Sequence, residues 1–194
     1  MTADPAAATV GPVPADCRVV VVADTHLETS RAGSARARSR VGNPVRGRGL
    51  PDAARRRLAA ADAILHAGDL LDEGVLEELA AIAPTWAVLG NNDRTLIGVL
   101  PATRIVELGG VSIGMIHDSG PSRGRAARLR RRFPTSDVVV FGHSHAPCDE
   151  VGVDGQRLFN PGSATQRRAQ PHHTLGELDL RDGRVVGHRI IDLD

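Results

Sequence analysis

Residues 18–26 read RVVVVADTH, an unbroken β-branched run that ends in a carboxylate and an imidazole. Apolar side chains on both faces predict a strand that is covered on both sides, which is typical of α/β sheets. An apolar strand followed by polar side chains recurs along the chain at 63–69, 85–93, 111–117 and 137–145. We therefore predict an α/β domain in which five strands each end at polar side chains.

Helices and hairpins are predicted between and after these strands. The predicted elements are three helices, at 52–60, 73–82 and 123–132, and two hairpins, formed by 103–108 with 111–116 and by 174–180 with 185–192. In the second helix, Leu76, Leu79 and Ala80 form one apolar face. Gly109-Gly110 and the turn at 181–184 supply the conformations that tight hairpin turns need.

Length and composition predict a single folded domain over residues 17–194. The chain has 194 residues, of which 41% are hydrophobic and 24% charged, as in ordinary globular domains. Residues 1–16 are rich in alanine and proline and are predicted to be a disordered tail. Residues 29–50 hold six arginines and few apolar side chains, which predicts a long Arg-rich loop close to the strand end at His26.

Composition also argues against several classes of function. All 24 basic residues are arginines and 23 residues are acidic, so the net charge of +1 does not favour nucleic-acid binding as the main role. One tryptophan and three phenylalanines are too few for the stacking surfaces of single-strand-binding proteins. No apolar run approaches the length of a membrane span, so no membrane partner is expected. Cys17 and Cys148 form no CxxC pair, which fits a reducing compartment and predicts a cytoplasmic location.

Side chains that can bind metal ions stand at the predicted strand ends. They are Asp24, His26, Asp69, Asn91, His117, His143 and His145. Because ligands of α/β sheets bind at the carboxyl ends of the strands, we expect these side chains to form one site. Oxygen and nitrogen ligands without a thiolate suit two divalent metal ions, with Mn²⁺ favoured and Fe, Ni²⁺ or Zn²⁺ as alternatives. Two ions about 3.5–4 Å apart need a shared carboxylate, and Asp69 is the predicted bridge because its strand lies centrally in the order.

Four other histidines are not predicted to be metal ligands. His66 lies inside a strand, where we expect a buried and hydrogen-bonded histidine or one that supports a metal ligand from behind. His172, His173 and His188 lie in the C-terminal strand region, where a structural role is expected.

The motifs resemble, in their order, those of the calcineurin-like metallophosphoesterases. They are Asp24-Thr-His26, Gly68-Asp69, Gly90-Asn-Asn-Asp93, His117 and Gly142-His-Ser-His145. The domain size, the Asn160-Pro-Gly-Ser163 segment and the closing hairpin are similar to the small single-domain bacterial and archaeal phosphodiesterase subfamily. The resemblance covers about residues 18–192. It implies a four-layer α/β/β/α sandwich of two mixed sheets flanked by helices.

The resemblance also implies a role for each site residue. One metal ion would be bound by Asp24, His26, Asp69 and His145, and the second by Asp69, Asn91, His117 and His143. A hydroxide that bridges the two metals would attack phosphorus in line. Asn92 and Asp93 are the expected catalytic residues, and Asn92, Arg94 and Arg123 are the expected substrate-binding residues.

Three features depart from the family pattern. Many members carry histidine at the position of Asn92, and asparagine cannot protonate a leaving group. Leu27 and Asp118 stand where glycine is frequent, so the local backbone must adapt. The Arg-rich stretch at 29–50 looks longer than its counterpart in compact relatives.

The leading prediction is a metal-dependent phosphodiesterase that acts on a phosphate-ester substrate. The same site could serve a phosphomonoesterase, or a nuclease that holds phosphates with the arginines of 29–50 and 123–132. The alternative from a different class is a non-catalytic protein-binding scaffold, as in the eukaryotic retromer subunit that resembles this fold. The complete set of ligand side chains weighs against a scaffold. The sequence leaves the oligomeric state open, a homo-oligomer included.

Overall fold

A computed structural model describes residues 12–27 and 49–194. The strands, in chain order, are β1 Cys17–Val22, β2 Ala63–His66, β3 Thr85–Ala87, β4 Thr103–Leu108, β5 Val111–Ile116, β6 Val138–Val140, β7 Cys148–Val151, β8 Arg157–Asn160, β9 Thr174–Arg181 and β10 Arg184–Asp192. The helices are α1 Asp52–Ala59, α2 Glu73–Ala80 and α3 Arg125–Arg132, with short 3₁₀ helices at Arg94–Leu96 and Val153–Gly155.

The strands form two mixed sheets of five strands each. The first sheet has the order β10-β9-β1-β2-β3, and β1, β2 and β3 run parallel. The second has the order β4-β5-β6-β8-β7, in which β5, β6 and β8 run parallel and the two edge strands are antiparallel to their neighbours. The parallel strands that carry the predicted site therefore come from both sheets.

The alternation of side chains along β1 explains how the two sheets stack. Val20 and Val22 face outward and join an apolar cluster with α1 and α2. Val19 and Val21 face the opposite way and pack in a cluster with Ile113 and other residues of the second sheet. Both faces of this strand are thus buried, as its apolar run predicts.

Helix α3 covers the outer face of the second sheet. Leu129 of this helix and Phe133 pack in a third cluster with Val139 of β6 and Leu158 of β8. The layers are therefore helices α1 and α2, the first sheet, the second sheet and α3. This order confirms the predicted four-layer α/β/β/α sandwich.

The predicted helices and hairpins are confirmed, with ends that differ by two residues at most. The hairpin strands β4 and β5 have the predicted bounds on both sides of Gly109-Gly110. β7 and β8 are two further short strands that are not among the elements predicted above.

Most of the predicted tail and most of the Arg-rich loop lie outside the described residues. Of the predicted tail, residues 12–16 are described, and Val13 packs against the cluster between the sheets. At the end of the predicted loop, Leu50 is buried in the cluster beneath α1 and α2. Cys17 and Cys148 are free thiols. Within the described ranges, no helix has the length and apolar character needed to cross a bilayer.

Glu177 is a buried carboxylate on β9 that links the first sheet to α1. It forms ion pairs with Arg57 at 3.2 Å and with Arg189 at 3.0 Å. Glu177→Ala removes the shared acceptor of both guanidinium groups, so we expect the free energy of unfolding to fall by about 1–3 kcal/mol. Urea denaturation measures this change, with the exposed Glu107→Ala as control at less than about 0.5 kcal/mol. Equal effects of the two substitutions would show that these ion pairs add no stability.

Candidate active site

The predicted metal ligands come together at one end of the sandwich. They follow five different strands: Asp24 and His26 after β1, Asp69 after β2, Asn91 after β3, His117 after β5, and His143 and His145 after β6. Backbone hydrogen bonds join neighbouring strand ends, for example from the Asp24 amide to the Gly68 carbonyl at 3.0 Å. Residues that are far apart in the chain therefore share one cleft.

The first group of candidate ligands consists of Asp24, His26 and His145, whose ligand atoms lie within 4.8 Å of one another. The Nε2 atoms of His26 and His145 are 3.4 Å apart, and the two rings are stacked. Asp24 Oδ1 lies 3.4 Å from His145 Nε2. Two imidazoles and one carboxylate thus present lone pairs to one point.

The second group consists of Asn91, His117 and His143. The side-chain oxygen of Asn91 lies 3.0 Å from His117 Nε2 and 2.9 Å from His143 Nδ1. The rings of His117 and His143 meet edge to face. This group offers one amide oxygen and two imidazole nitrogens.

Asp69 lies between the two groups. Its Oδ2 atom is 3.6 Å from His26 Nε2 and 3.6 Å from His117 Nε2. This position follows from the sheet order, in which β2 lies between β1 and β3. One carboxylate therefore faces both sets of ligands.

Backbone carbonyls orient two of the imidazole rings. His117 Nδ1 donates to the carbonyl of Ala67 at 2.7 Å, and His145 Nδ1 donates to the carbonyl of Gln166. A proton held at Nδ1 leaves Nε2 as the lone-pair nitrogen. Metal-binding histidines are commonly held in this way.

Asp24 is a buried carboxylate with no hydrogen-bond partner for either oxygen among the described residues. Burial, followed by the negative charge of Asp69, raises the pKa of Asp24 to about 7. Buried charged groups are ordinarily paired or bound to metal ions. The environment of Asp24 is therefore one that a cation would complete.

Five candidate ligands have a backbone in the left-handed region. Their φ angles are 52° at Asp24, 45° at His26, 60° at Asp69, 69° at His143 and 56° at His145. For non-glycine residues this conformation costs about 1–2 kcal/mol each. Such strain is typical of functional sites, where the surrounding structure holds the backbone in place.

Glycines of the motifs allow the ligand loops to approach one another. A Cβ atom at Gly68 would lie 2.6 Å from His117 Nδ1, and one at Gly142 would lie 2.9 Å from Asp24 Oδ2. A Cβ atom at Gly90 would overlap the backbone nitrogen and the carboxylate of Asp69. These three glycines are thus needed because the space beside them is filled by ligand residues.

Asp93 connects the loops that follow β2 and β3. Its buried carboxylate accepts hydrogen bonds from the amides of Asp69 at 2.9 Å, Leu71 at 2.8 Å and Gly90 at 2.7 Å. Both carboxylate oxygens are engaged by backbone donors. These contacts are those of a residue that positions the loops, and the catalytic role of Asp93 stays a prediction.

Asn92 contacts the carboxylate of Asp69 directly. Its backbone amide donates to Oδ1 at 2.8 Å and its side-chain amide donates to Oδ2 at 2.6 Å. Burial acts to raise the pKa of Asp69, but these hydrogen bonds, together with His117 and His26, lower it below its usual value. Asn92 therefore stabilises the ionised form of the central carboxylate.

The two arginines predicted to bind substrate do not contact the ligand cluster. Arg94 and Arg123 are exposed, and no hydrogen bond or ion pair joins either side chain to the candidate ligands in the described part of the chain. Leu27 and Asp118, which replace frequent glycines, are accommodated locally. Leu27 is buried beneath α1 and α2, and Asp118 accepts a hydrogen bond from Gly120.

The remaining histidines lie in two kinds of environment. His66 is fully buried and its Nε2 atom lies 2.9 Å from Thr25 Oγ1, which confirms the predicted buried, hydrogen-bonded histidine. Burial, with the nearby His117, lowers the pKa of His66 to about 3. The C-terminal histidines pair instead with carboxylates: His172 with Asp192, His173 with Asp194 and His188 with Asp149.

Residues 160–168 support the site, a role that the sequence did not assign. Asn160 donates to the Gly142 carbonyl at 3.1 Å, and Ser163 donates to the Asp24 carbonyl at 2.8 Å. Arg168 donates to the carbonyl of His143 at 3.4 Å. The one sequence signal for these residues is that they belong to, or follow, the Asn160-Pro-Gly-Ser163 segment.

Comparison with known proteins relates the whole domain to one superfamily. Residues 17–183 match the model of the calcineurin-like phosphoesterase superfamily domain. A probable metallophosphoesterase of Methanothermobacter thermautotrophicus is 32% identical over 150 residues, which cover 76% of this chain and 77% of the relative.

Solved structures share the fold at lower identity. Vps29 from Entamoeba histolytica, in complex with zinc, has a TM-score of 0.63 at 22% identity, covering 91% of this chain and 99% of that chain. A structure described as a novel archaeal phosphodiesterase has a TM-score of 0.62 at 19% identity, with the same coverage of 91% and 99%. At these identities the two structures establish a common fold alone.

Proposed function

The chain belongs to the calcineurin-like phosphoesterase superfamily, and on that premise we propose that it is a phosphodiesterase that uses two divalent metal ions. The observation that carries the proposal is the position of Asp69, whose Oδ2 atom lies 3.6 Å from an imidazole nitrogen of each ligand group. A carboxylate so placed can serve two cations about 3.5–4 Å apart, as two-metal hydrolases require.

The residues at the site fit divalent cations. Among the described residues, the buried carboxylate of Asp24 has no hydrogen-bond partner, and the facing ligand atoms are 3.4–3.6 Å apart. Nitrogen and oxygen ligands lie about 2.0–2.2 Å from a divalent ion such as Zn²⁺, so ligand atoms at these separations can share one ion. We assign one ion to Asp24, His26, Asp69 and His145, and the other to Asp69, Asn91, His117 and His143. A ligand set without thiolate favours Mn²⁺ over softer ions.

The chemistry divides between the ions and the chain. When bound, divalent ions lower the pKa of a coordinated water and neutralise charge on phosphoryl oxygens. The chain holds His117 and His145 by their Nδ1 atoms and fixes the adjoining loops through Asp93. Asn92 orients Asp69 and, being exposed, can donate a hydrogen bond to a substrate oxygen without giving up a proton.

A phosphodiester suits this site better than a phosphomonoester. It carries one fewer negative charge, and the site already holds Asp24 and Asp69 close together in a chain without lysine. Since Asn92 cannot protonate a leaving group, we expect esters with acidic leaving groups to react best.

Two alternative functions, a nuclease and a protein-binding scaffold, differ from this proposal in what they require of the chain. A nuclease would hold phosphates with the arginines of 29–50, all of which lie outside the described residues, and with those of 123–132. Of the latter, Arg128 donates to the carbonyls of Ser119 and Pro121, and Arg130 pairs with Asp154 at 3.2 Å. The common fold with Vps29 makes a protein-binding scaffold the other candidate. Vps29 itself is seen in complex with zinc, so hydrolysis by the metal-loaded protein, rather than metal content alone, separates an enzyme from a scaffold.

Metal content and substrate range test the proposal together. After loading with Mn²⁺ and removal of the excess, elemental analysis is expected to give about two equivalents per chain. The loaded protein is expected to hydrolyse bis-(para-nitrophenyl) phosphate faster than para-nitrophenyl phosphate, with cyclic nucleotides and metal-stripped protein assayed in parallel. A folded protein without metal would favour the scaffold, and faster monoester hydrolysis would favour a phosphomonoesterase.

A further inference from the structure

We propose that Arg168 binds the phosphoryl oxygens of the substrate at the edge of the metal site, an inference that rests on the proposed function. Arg168 follows the turn after β8 and is exposed. Its Nη1 atom lies 3.4 Å from the backbone carbonyl of His143, one of the candidate ligands. The guanidinium group therefore lies beside the site from which a phosphate would be attacked.

The segment that carries Arg168 is anchored to the ligand loops. Ser163 donates to the Asp24 carbonyl at 2.8 Å, and Thr165 donates to the Thr25 carbonyl at 2.6 Å. The carbonyl of Gln166 accepts the hydrogen bond of His145 Nδ1. Arg168 follows two residues later with a positive φ of 52°. Its backbone is thus attached to both loops of the first ligand group.

The charge of Arg168 is available to a ligand. Other arginines are engaged: Arg57 and Arg189 pair with Glu177, and Arg157 pairs with Asp149. For Arg168, no carboxylate lies within ion-pair distance in the ranges that the structure describes. A guanidinium group without a carboxylate partner keeps its donors for an anion, and its planar fork matches phosphoryl oxygens.

The contacts of Arg168 and its segment show on which side of the site it lies. Arg168 Nη1 lies 3.4 Å from the carbonyl of His143, and the segment before it binds the Asp24 carbonyl and His145 Nδ1. Asn92, by contrast, contacts Asp69 on the loop after β3. The site is therefore flanked by a guanidinium group beside the first ligand group and a neutral amide beside the bridge.

Arg168→Ala and Arg168→Lys test the inference, with Arg167→Ala as the matched control. Arg167 is the exposed neighbour, and its side chain donates to the carbonyl of Gln170 within the same loop. For Arg168→Ala we expect KM for the aryl diester and the dissociation constant of inorganic phosphate, measured by calorimetry on Mn²⁺-loaded protein, to rise about 10–100-fold. Arg168→Lys should recover part of this loss, and Arg167→Ala should resemble the wild type. Metal content should be unchanged in all three.

The readouts separate this inference from the proposed function. Unchanged KM and phosphate affinity in Arg168→Ala, with an active wild type, would overturn the role of Arg168 and leave the enzyme intact. A fall in kcat alone, or loss of metal from the variant, would also overturn a binding role. If the loaded wild type hydrolysed no phosphate ester, the proposed function would fail, and the phosphate affinities of wild type and variant would still decide whether Arg168 binds phosphate.

Discussion

Replacing Asp69 by asparagine is expected to lower kcat/KM for an aryl phosphodiester by more than about 10²-fold, because loss of groups that merely orient a ligand already costs about 10–100-fold. Asp69 Oδ2 faces one imidazole of each ligand group. An amide removes the negative charge that would balance both of the proposed cations. The N–H group of the new amide would also face a hydrogen-bond donor. The side-chain amide of Asn92 donates to Oδ2 at 2.6 Å and its backbone amide donates to Oδ1, so neither position suits a second donor. Elemental analysis of the Mn²⁺-loaded variant should give less metal than the wild type.

Two further variants test whether the loss of activity is specific to the carboxylate of Asp69. Asp182→Asn repeats the substitution in an exposed turn, at a residue whose φ of 49° resembles the 60° of Asp69, and it should leave activity unchanged. His66→Ala removes a buried ring that contacts Thr25 rather than the ligand cleft, so its effect on kcat/KM should be smaller. Comparable losses from Asp69→Asn and His66→Ala, or full metal retention by Asp69→Asn, would contradict the assignment of the bridge.

Replacing Asn92 by histidine is expected to raise kcat/KM for diesters with poor leaving groups by up to about 10²–10⁴-fold, the usual contribution of general acid catalysis. Asn92 is exposed and its side chain donates to Asp69, so an imidazole has room there. Under the proposed function, the leaving group of the wild type would depart largely unprotonated. The rate should therefore fall steeply as the pKa of the leaving group rises, whereas Asn92→His should give a shallower dependence. A series of aryl phosphodiesters measures both slopes.

Asn92→Gln is the matched control for that experiment. It keeps an amide and adds no titratable proton, so its slope should stay as steep as that of the wild type. Asn92→His should also lose activity toward poor leaving groups as the pH rises through the pKa of the new imidazole, because its acidic form donates the proton. Equal and shallow slopes in wild type and Asn92→His would mean that another residue already donates the proton.

The elements that the sequence predicted well are those with local signals. The valine run of β1 has to be buried on both faces, and Gly109-Gly110 supplies a tight turn between two strands of matching length. β7 carried no such signal, because its residues are half-buried or exposed on an edge strand and show no alternation of polar and apolar side chains. β8 pairs with it and is short.

Within each sheet, the convergence of the candidate ligands was also readable from the sequence, because each ligand follows an apolar strand and the carboxyl ends of parallel strands share an edge. That the ligands of the two sheets meet depends on how the sheets stack. The supporting contacts were not readable. Asp93 belongs to the same motif as Asn91, yet its carboxylate turns inward to three backbone amides. Its role depends on how the loops after β2 and β3 meet.

The sequence by itself determined the strands and helices of an α/β domain and the set of polar side chains at the strand ends, because hydrophobic periodicity and strand-end position are local properties. Only the tertiary structure decided that Asn92 holds Asp69, the predicted bridge, and that Arg168 stands beside the site. Each of these contacts joins distant segments, as when Ser163 donates to a carbonyl 139 positions away. Such a contact depends on how two sheets stack and how their loops meet, which no short stretch of sequence encodes.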